Sequence, residues 1–219
     1  MLKQEARWLG QQLETLELSQ VFSLLNVGSS TQYFREVQQR WIDAELFAPL
    51  RRRGGHAIHQ DLKADEGVDV VGDLMDPDCV RRLKGLGVRS VCCTSVLEHV
   101  EDREAFASRL SDLVPRGGVL MLSVPRAFPW HPDPIDTMFR PSVEELAALF
   151  PRMKKRASAV VPCGRLGDLV AQDLPGALRR LLNPGKGAGT EAPRAPLRQW
   201  LWPWLVKPFE LTCVVLEHG

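Results

Sequence analysis

The chain has 219 residues, 44% of them hydrophobic and 25% charged, and its 28 Lys and Arg nearly balance its 27 Asp and Glu for a net charge of +1. That length suits one domain with a full core and room for an insertion, and the near-neutral balance excludes general nucleic-acid binding, so any basic surface is local. Cys79, Cys92, Cys93, Cys163 and Cys213 form no CxxC pair, no signal-type apolar core follows Lys3, Glu5 and Arg7, and no run approaches a membrane span; a reduced, cytoplasmic setting is expected.

Leu2, Ala6, Leu9, Leu13 and Leu16 recur at spacings of four and three, which predicts an N-terminal helix with one apolar face, packed on a sheet or over a ligand. A first strand is expected over 21–27, running into Asn26-Val27-Gly28-Ser29-Ser30-Thr31. An apolar strand that ends in a Gly-Ser-Ser turn brings backbone close to a ligand, although a glycine that only tightens a packing turn has the same appearance. Residues 32–50 read as a long helix ending near Pro49 and the basic run Arg51-Arg52-Arg53, before Gly54-Gly55.

Strands are expected at about 56–60, 68–72, 90–95 and 118–124, with helical spacing near 76–86 and 101–113. Such alternation predicts a parallel sheet covered on both faces, in which ligands sit outside the carboxyl ends of the strands where their order reverses. Ser142, three residues before Glu145, opens a short helix through Phe150 with a capping box, and 154–161 and 211–216 are candidate sixth and seventh strands. Between them, Leu166, Leu169, Val170, Leu174, Leu178, Leu181 and Leu182 approximate one helical face, followed by a Gly-rich linker and Trp200-Leu201-Trp202-Pro203-Trp204. This cationic, Trp-rich segment suits a peripheral membrane contact through 165–207, or a lid or dimer interface whose apolar side chains are buried.

Five segments carry a family resemblance: the Gly28 turn, Ile58-His59-Gln60-Asp61, Val68-Asp69-Val70-Val71-Gly72-Asp73-Leu74, Thr94-Ser95-Val96-Leu97-Glu98-His99 and Pro115-Arg116-Gly117-Gly118. In this order they resemble the class I S-adenosylmethionine-dependent methyltransferases over about residues 20–150. The resemblance implies a Rossmann-like α/β fold with a mostly parallel seven-stranded sheet, helices on both faces and a helical insertion (163–209) before the last strand. It implies one domain over 1–219 with its cofactor-binding core in 20–150. The cofactor would be S-adenosyl-L-methionine, held by Asn26, Gly28, Ser29, Ser30, Asp61, Asp73, Leu74, Thr94, Ser95 and Leu97. Asp61, at a strand end, can accept hydrogen bonds from ribose hydroxyls, and the resemblance places Asp73 beside the adenine amino group with Leu74 against the ring; either aspartate can instead cap the segment that follows.

Three features depart from the family pattern. Asn26 stands where an acidic residue is usual, the turn is Gly-Ser-Ser, and the spacing from Gly28 to Asp61 is long. They keep open a non-catalytic scaffold or membrane-associated adaptor. A nicotinamide enzyme is disfavoured because no Gly-x-Gly-x-x-Gly occurs.

The proline-rich stretch from Pro125 to Pro141 is the expected substrate rim, and its His131-Pro132-Asp133-Pro134-Ile135-Asp136 run, with Arg140-Pro141, is similar to an element of some small bacterial methyltransferases. His131 with Asp133 or Asp136 is suited to take a proton from a hydroxyl acceptor, whereas a rigid loop with an Asp136–Arg140 salt bridge is the structural alternative. His99 reads as a packing residue rather than a base. Methyl transfer to an oxygen of a small-molecule or glycan-like acceptor is expected, without a metal and without nucleic acid.

Overall fold

The structure is a computed structural model that describes residues 1–131, 135–165, 167–168 and 206–219. Its strands are β1 (Leu24–Val27), β2 (Ala57–Asp61), β3 (Val70–Val71), β4 (Ser90–Thr94), β5 (Val119–Ala127), β6 (Met153–Pro162) and β7 (Glu210–His218). Its α-helices are α1 (Lys3–Glu14), α2 (Leu18–Val21), α3 (Ala48–Arg52), α4 (Pro77–Gly85), α5 (Arg103–Leu113) and α6 (Val143–Ala148). The strands form one sheet in the order β3-β2-β1-β4-β5-β7-β6, with only β7 antiparallel to its neighbours. This is the mostly parallel seven-stranded sheet expected from the sequence.

Strand alternation divides the core between the two faces. Leu25, Val27, Val91, Cys93, Leu120 and Leu122 point to the side covered by α4, α5 and α6, while Leu24, Cys92, Val119 and Met121 point to the side covered by α1 and residues 42–50. On that second side α1 buries Ala6, Leu9 and Leu13, each leucine stabilising by about 1.5–3 kcal/mol. Gly10 lets α1 come close to its neighbour: a Cβ there would stand 2.2 Å from the Glu45 carbonyl oxygen.

Two expectations are corrected in the first quarter of the chain. Residues 18–21 form a helical turn, so the first strand begins only at Leu24. Instead of one long helix, 32–50 holds two π-helical turns, Phe34–Gln38 and Asp43–Phe47, and then α3. Pro49 lies in the first turn of α3, and the helix continues past it to Arg52. Farther on, the capping box forms: the Glu145 N–H donates to Ser142 Oγ at 3.1 Å and the Ser142 N–H to Glu145 Oε2 at 2.7 Å.

The helical and Trp-rich stretch of the insertion lies outside the described residues, as does Asp133. No helix among the described residues is long and apolar enough to cross a membrane.

Candidate functional site at the ends of β1 and β4

β1 pairs with β2 on one side and β4 on the other, so the strand order reverses at its carboxyl end. There Gly28 takes φ +66°, and a Cβ on it would stand 2.6 Å from Val96 Cγ2. Glycine alone meets both demands. Ser30 follows at φ +53°, held by its N–H donating to Asp61 Oδ2 at 2.8 Å. The Ser29 N–H donates to the Gln60 carbonyl at 2.9 Å.

Arg35, buried inside the first π-helical turn, closes the loop from behind. Its guanidinium donates to the carbonyls of Ser29 (3.0 Å), Ser30 (2.5 Å) and Gly67 (2.7 Å). Burial lowers its pKa, against the pull of nearby carboxylates that include Glu36 and Asp69.

Asn26 pairs with His59, its Nδ2 lying 3.2 Å from the ring Nδ1. Burial, with Arg35 adding to it, drives the imidazole down to about 4, so His59 is neutral and its Nδ1 accepts from the amide. The amide donates to this neutral ring and adds no charge to the buried pair.

Two cavity lobes open on this turn. The larger, about 660 Å³, is lined by Asp61, Asp73, Leu74, Val96 and Phe106 among others, and the smaller, about 390 Å³, by Glu5, Asn26, Ser29, Arg35, Gln39, Thr94, Phe128 and His131. Gly28, Ser30, Ser95 and His99 line both. Asp73 also caps its own turn, with Oδ1 accepting from the Met75 N–H at 2.8 Å. Leu97 is placed differently: it is buried in the core beneath β4 while its neighbour Val96 lines the larger lobe.

The rim segment after β5 folds back onto a 3₁₀ turn, Leu97–His99. Thr137 donates its N–H and its hydroxyl to the Glu98 carbonyl, both at 2.9 Å. The Asp136–Arg140 salt bridge raised for this segment forms, and Asp136 also contacts His131. Asp136 accepts two bonds from Arg140 (2.6 and 3.0 Å), and its Oδ2 also takes the His131 N–H at 3.0 Å and lies 3.2 Å from His131 Nδ1. Burial pushes the Asp136 carboxyl up, but the bonds from Arg140 and the backbone N–H groups of His131 and Met138 outweigh it, so the net shift is downward. Burial lowers the His131 imidazole, with the Pro129 carbonyl and Asp136 opposing.

Beside His131 stands Glu98, fully buried, with neither carboxylate oxygen hydrogen-bonded. Burial pushes its carboxyl up to about 8, with its own backbone N–H and then Arg140 opposing. The sequence reading expected no metal, yet Glu98, His99 and His131 bring three ligand-type atoms within 4.8 Å of one another.

Sequence reasoning passed over four polar residues here. Glu5 left a trace: it is an acid on the apolar stripe of α1, and in the fold it accepts from the Leu2 N–H at 2.7 Å and from the Ser123 hydroxyl. That pins α1 to β5 and sets Met1 and Leu2 in the wall of the smaller lobe. Gln39, whose Oε1 is buried without a partner, and Arg35 carry no local signal. Glu98 was visible as part of Leu-Glu-His, but nothing in the spacing indicated its burial.

No protein-family model and no curated protein matches the chain. Solved structures do. A SAM-dependent methyltransferase from Anabaena variabilis superposes with a TM-score of 0.54 at 10% identity, over 95% of this chain and 82% of the other. Coclaurine N-methyltransferase, bound to N-methylheliamine and SAH, gives 0.53 at 10% identity over 95% and 68%. Geranyl diphosphate C-methyltransferase from Streptomyces coelicolor, in complex with Mg²⁺, geranyl diphosphate and S-adenosyl-L-homocysteine, gives 0.50 at 12% identity over 97% and 77%. At these identities the likeness is one of fold, and the fold is the Rossmann-like class I methyltransferase fold.

Proposed function

We propose that this chain is an S-adenosylmethionine-dependent methyltransferase that acts on a hydroxyl oxygen of a small-molecule or glycan-like acceptor. The observation that carries the reading is the meeting of two lobes at the Gly28–Ser30 turn, with Ser95 and His99 in their common wall. The residues fit the cofactor. Asp61 and Asp73 supply carboxylate acceptors for the hydroxyl and amino donors of an adenosine, and Leu74 supplies an apolar surface for its ring. Across the turn, the unpartnered Gln39 Oε1 and the Glu5 carboxylate are acceptors suited to an ammonium group.

When bound, the cofactor supplies a methyl group already activated on a sulfonium, so the protein's task is orientation, water exclusion and charge placement. Met1, Leu2 and Phe128 wall the smaller lobe with apolar surface. At the junction, the Nε2 atoms of His99 and His131 stand near Glu98, which suits a substrate that arrives as a hydrogen-bond donor. A hydroxyl is such a group.

A non-catalytic scaffold is the alternative. Two observations favour it: Asn26 is tied to His59, and Asp73 is engaged by the Met75 N–H. Calorimetry separates the readings. S-adenosylhomocysteine should bind at about micromolar Kd, roughly −8 kcal/mol, and NADH should not. Absence of heat from both S-adenosylmethionine and S-adenosylhomocysteine overturns the enzyme reading. If they bind, release of S-adenosylhomocysteine in the presence of hydroxylated glycans tests the acceptor class.

A further inference from the structure

The junction of the two lobes contains an electrostatic imbalance. Glu98 Oε1 lies 3.8 Å from His99 Nε2 and 3.9 Å from His131 Nε2. Each imidazole is tied through its other nitrogen to an acceptor: His99 Nδ1 to the Ile135 carbonyl, and His131 Nδ1 to the Pro129 carbonyl at 3.1 Å, with Asp136 Oδ2 at 3.2 Å. Carbonyls and carboxylates only accept, so each Nδ1 carries a hydrogen and Nε2 is the nitrogen left for a ligand. Glu98 adds a fully buried carboxyl group with no hydrogen-bond partner in the protein. Three ligand-type side chains thus converge on one point, the buried glutamate among them unpartnered, an arrangement that a bound cation would satisfy.

We propose that Glu98, His99 and His131 form a binding site for a divalent first-row transition-metal ion. Two imidazoles and one carboxylate suit Mn²⁺, Fe²⁺, Co²⁺ or Zn²⁺ better than the all-oxygen sites of Ca²⁺ and Mg²⁺. The contacts on each Nδ1 are the outer-shell bonds that fix the tautomer and aim of a metal-binding histidine. Ligand atoms about 2.1 Å from an ion stand roughly 3.0–3.4 Å apart, so each histidine needs to close on Glu98 by about half an ångström to one ångström and the two histidines on each other by up to about 1.8 Å, which takes side-chain rotation at both rings. Cysteine takes no part, since the cluster contains none and all five cysteines are buried.

Three protein ligands leave coordination positions open, and His99 lines both lobes while His131 lines the smaller. An oxygen-bearing substrate can complete the ion's shell from there. That last role rests on the methyl-transfer reading; the ion site does not. With the ion bound, His131 is a ligand and not a base.

The test uses the whole chain, treated with chelator and free of cofactor. Mn²⁺ is titrated in and followed by loss of the free-ion paramagnetic resonance signal, and Co²⁺ by visible absorption without thiolate charge-transfer bands. One ion per chain is expected, with at least about a hundredfold loss of affinity in Glu98→Gln and in His131→Ala. Glu98→Gln keeps the side chain's shape and gives it a donor for the imidazole lone pairs, so its ion-free melting temperature should match or exceed that of the wild type. No binding of Mn²⁺ or Co²⁺ by the wild type overturns the proposal and leaves a shared proton as what the three groups hold. Binding that survives both substitutions also overturns it. Titration of the same ion-free protein with S-adenosylhomocysteine reports on the methyl-transfer reading separately.

Discussion

Two polar clusters flank the cleft, and they are built on opposite terms. At the Gly28–Ser30 turn the groups are answered by protein: the Ser30 N–H by Asp61, the Ser29 and Ser30 carbonyls by Arg35, and Asn26 by His59. At the junction Asp136 and Thr137 are bonded and Arg140 is bonded through both terminal nitrogens but not through its buried Nε, while Glu98 carries two unpaired oxygens. The turn takes its shape on folding and offers a ligand a fixed surface. The junction bears a desolvation cost that a proton or a bound cation offsets, which marks it as the place where folding energy is exchanged for binding.

The largest expected effect comes from removing the junction's support. Arg140→Ala leaves the Asp136 carboxylate, whose side chain is fully buried, without its two-bonded partner. A loss of about 3–5 kcal/mol is expected in urea denaturation, together with release of His131. A loss below about 1 kcal/mol, the scale of an exposed ion pair, means that water reaches Asp136 and the contrast with the turn fails.

Acid should act on the other cluster. His59 sits at about 4 in the fold against an ordinary 6.5, so as pH falls the unfolded chain takes up the proton first and the native state loses ground. Its contribution is present above pH 6.5 and is lost as pH falls through 4, by at most about 3 kcal/mol. His59→Gln should flatten that part of the stability curve, measured as denaturation midpoints at pH 7 and pH 4.5. An unchanged slope means the ring is not neutral by burial, and the account of Asn26 falls with it.

Much of the fold was legible because it rests on local pattern: apolar strands at regular intervals, helical spacing between them and the Ser142 capping box all have signals within a few residues. Residues 32–50 were not legible in detail, since a π-helical turn differs from an α-helical one by a single shift of hydrogen-bond partner, as where the Gln39 N–H reaches Phe34. Val37, apolar yet mostly exposed, shows how the widened turn breaks the stripe. The polar placements were harder still. Arg35 acts on carbonyls five and six residues back and on Gly67, and Glu98 meets His131 only because the rim docks through Thr137. Pairings of that kind come from tertiary packing, which spacing does not encode. Leu97 fell on the wrong side for a related reason: the 3₁₀ turn rotates Val96 toward the larger lobe and Leu97 into the core.

A smaller effect tests whether the turn is as rigid as its bonding implies. Gly28→Ala must hold a Cβ at φ +66° and displace Val96, which should cost about 1–2 kcal/mol in the left-handed region and a further amount for the contact. Val96→Ala in the same chain should recover only the contact part. Full recovery in the double variant means the backbone is not strained, and the turn adapts instead of being fixed.

Asp61→Asn should have the smallest effect on stability and the most direct bearing on the contrast. Asp61 accepts from the Ser30 N–H through Oδ2 and from the Lys63 N–H at 3.1 Å through Oδ1. An asparagine keeps one acceptor and turns the other into a donor, so one bond is lost and about 1 kcal/mol of stability with it. Affinity for S-adenosylhomocysteine should fall about tenfold, because a carboxylate accepts hydroxyl donors more strongly than an amide. Mn²⁺ affinity at Glu98, His99 and His131 should not change, since Asp61 touches none of them and the turn's bonds close on themselves. A parallel loss of ion binding would show that Ser30 and Ser95, which line both lobes, transmit the change, and that the two clusters are one cooperative unit rather than a fixed cradle beside an open site.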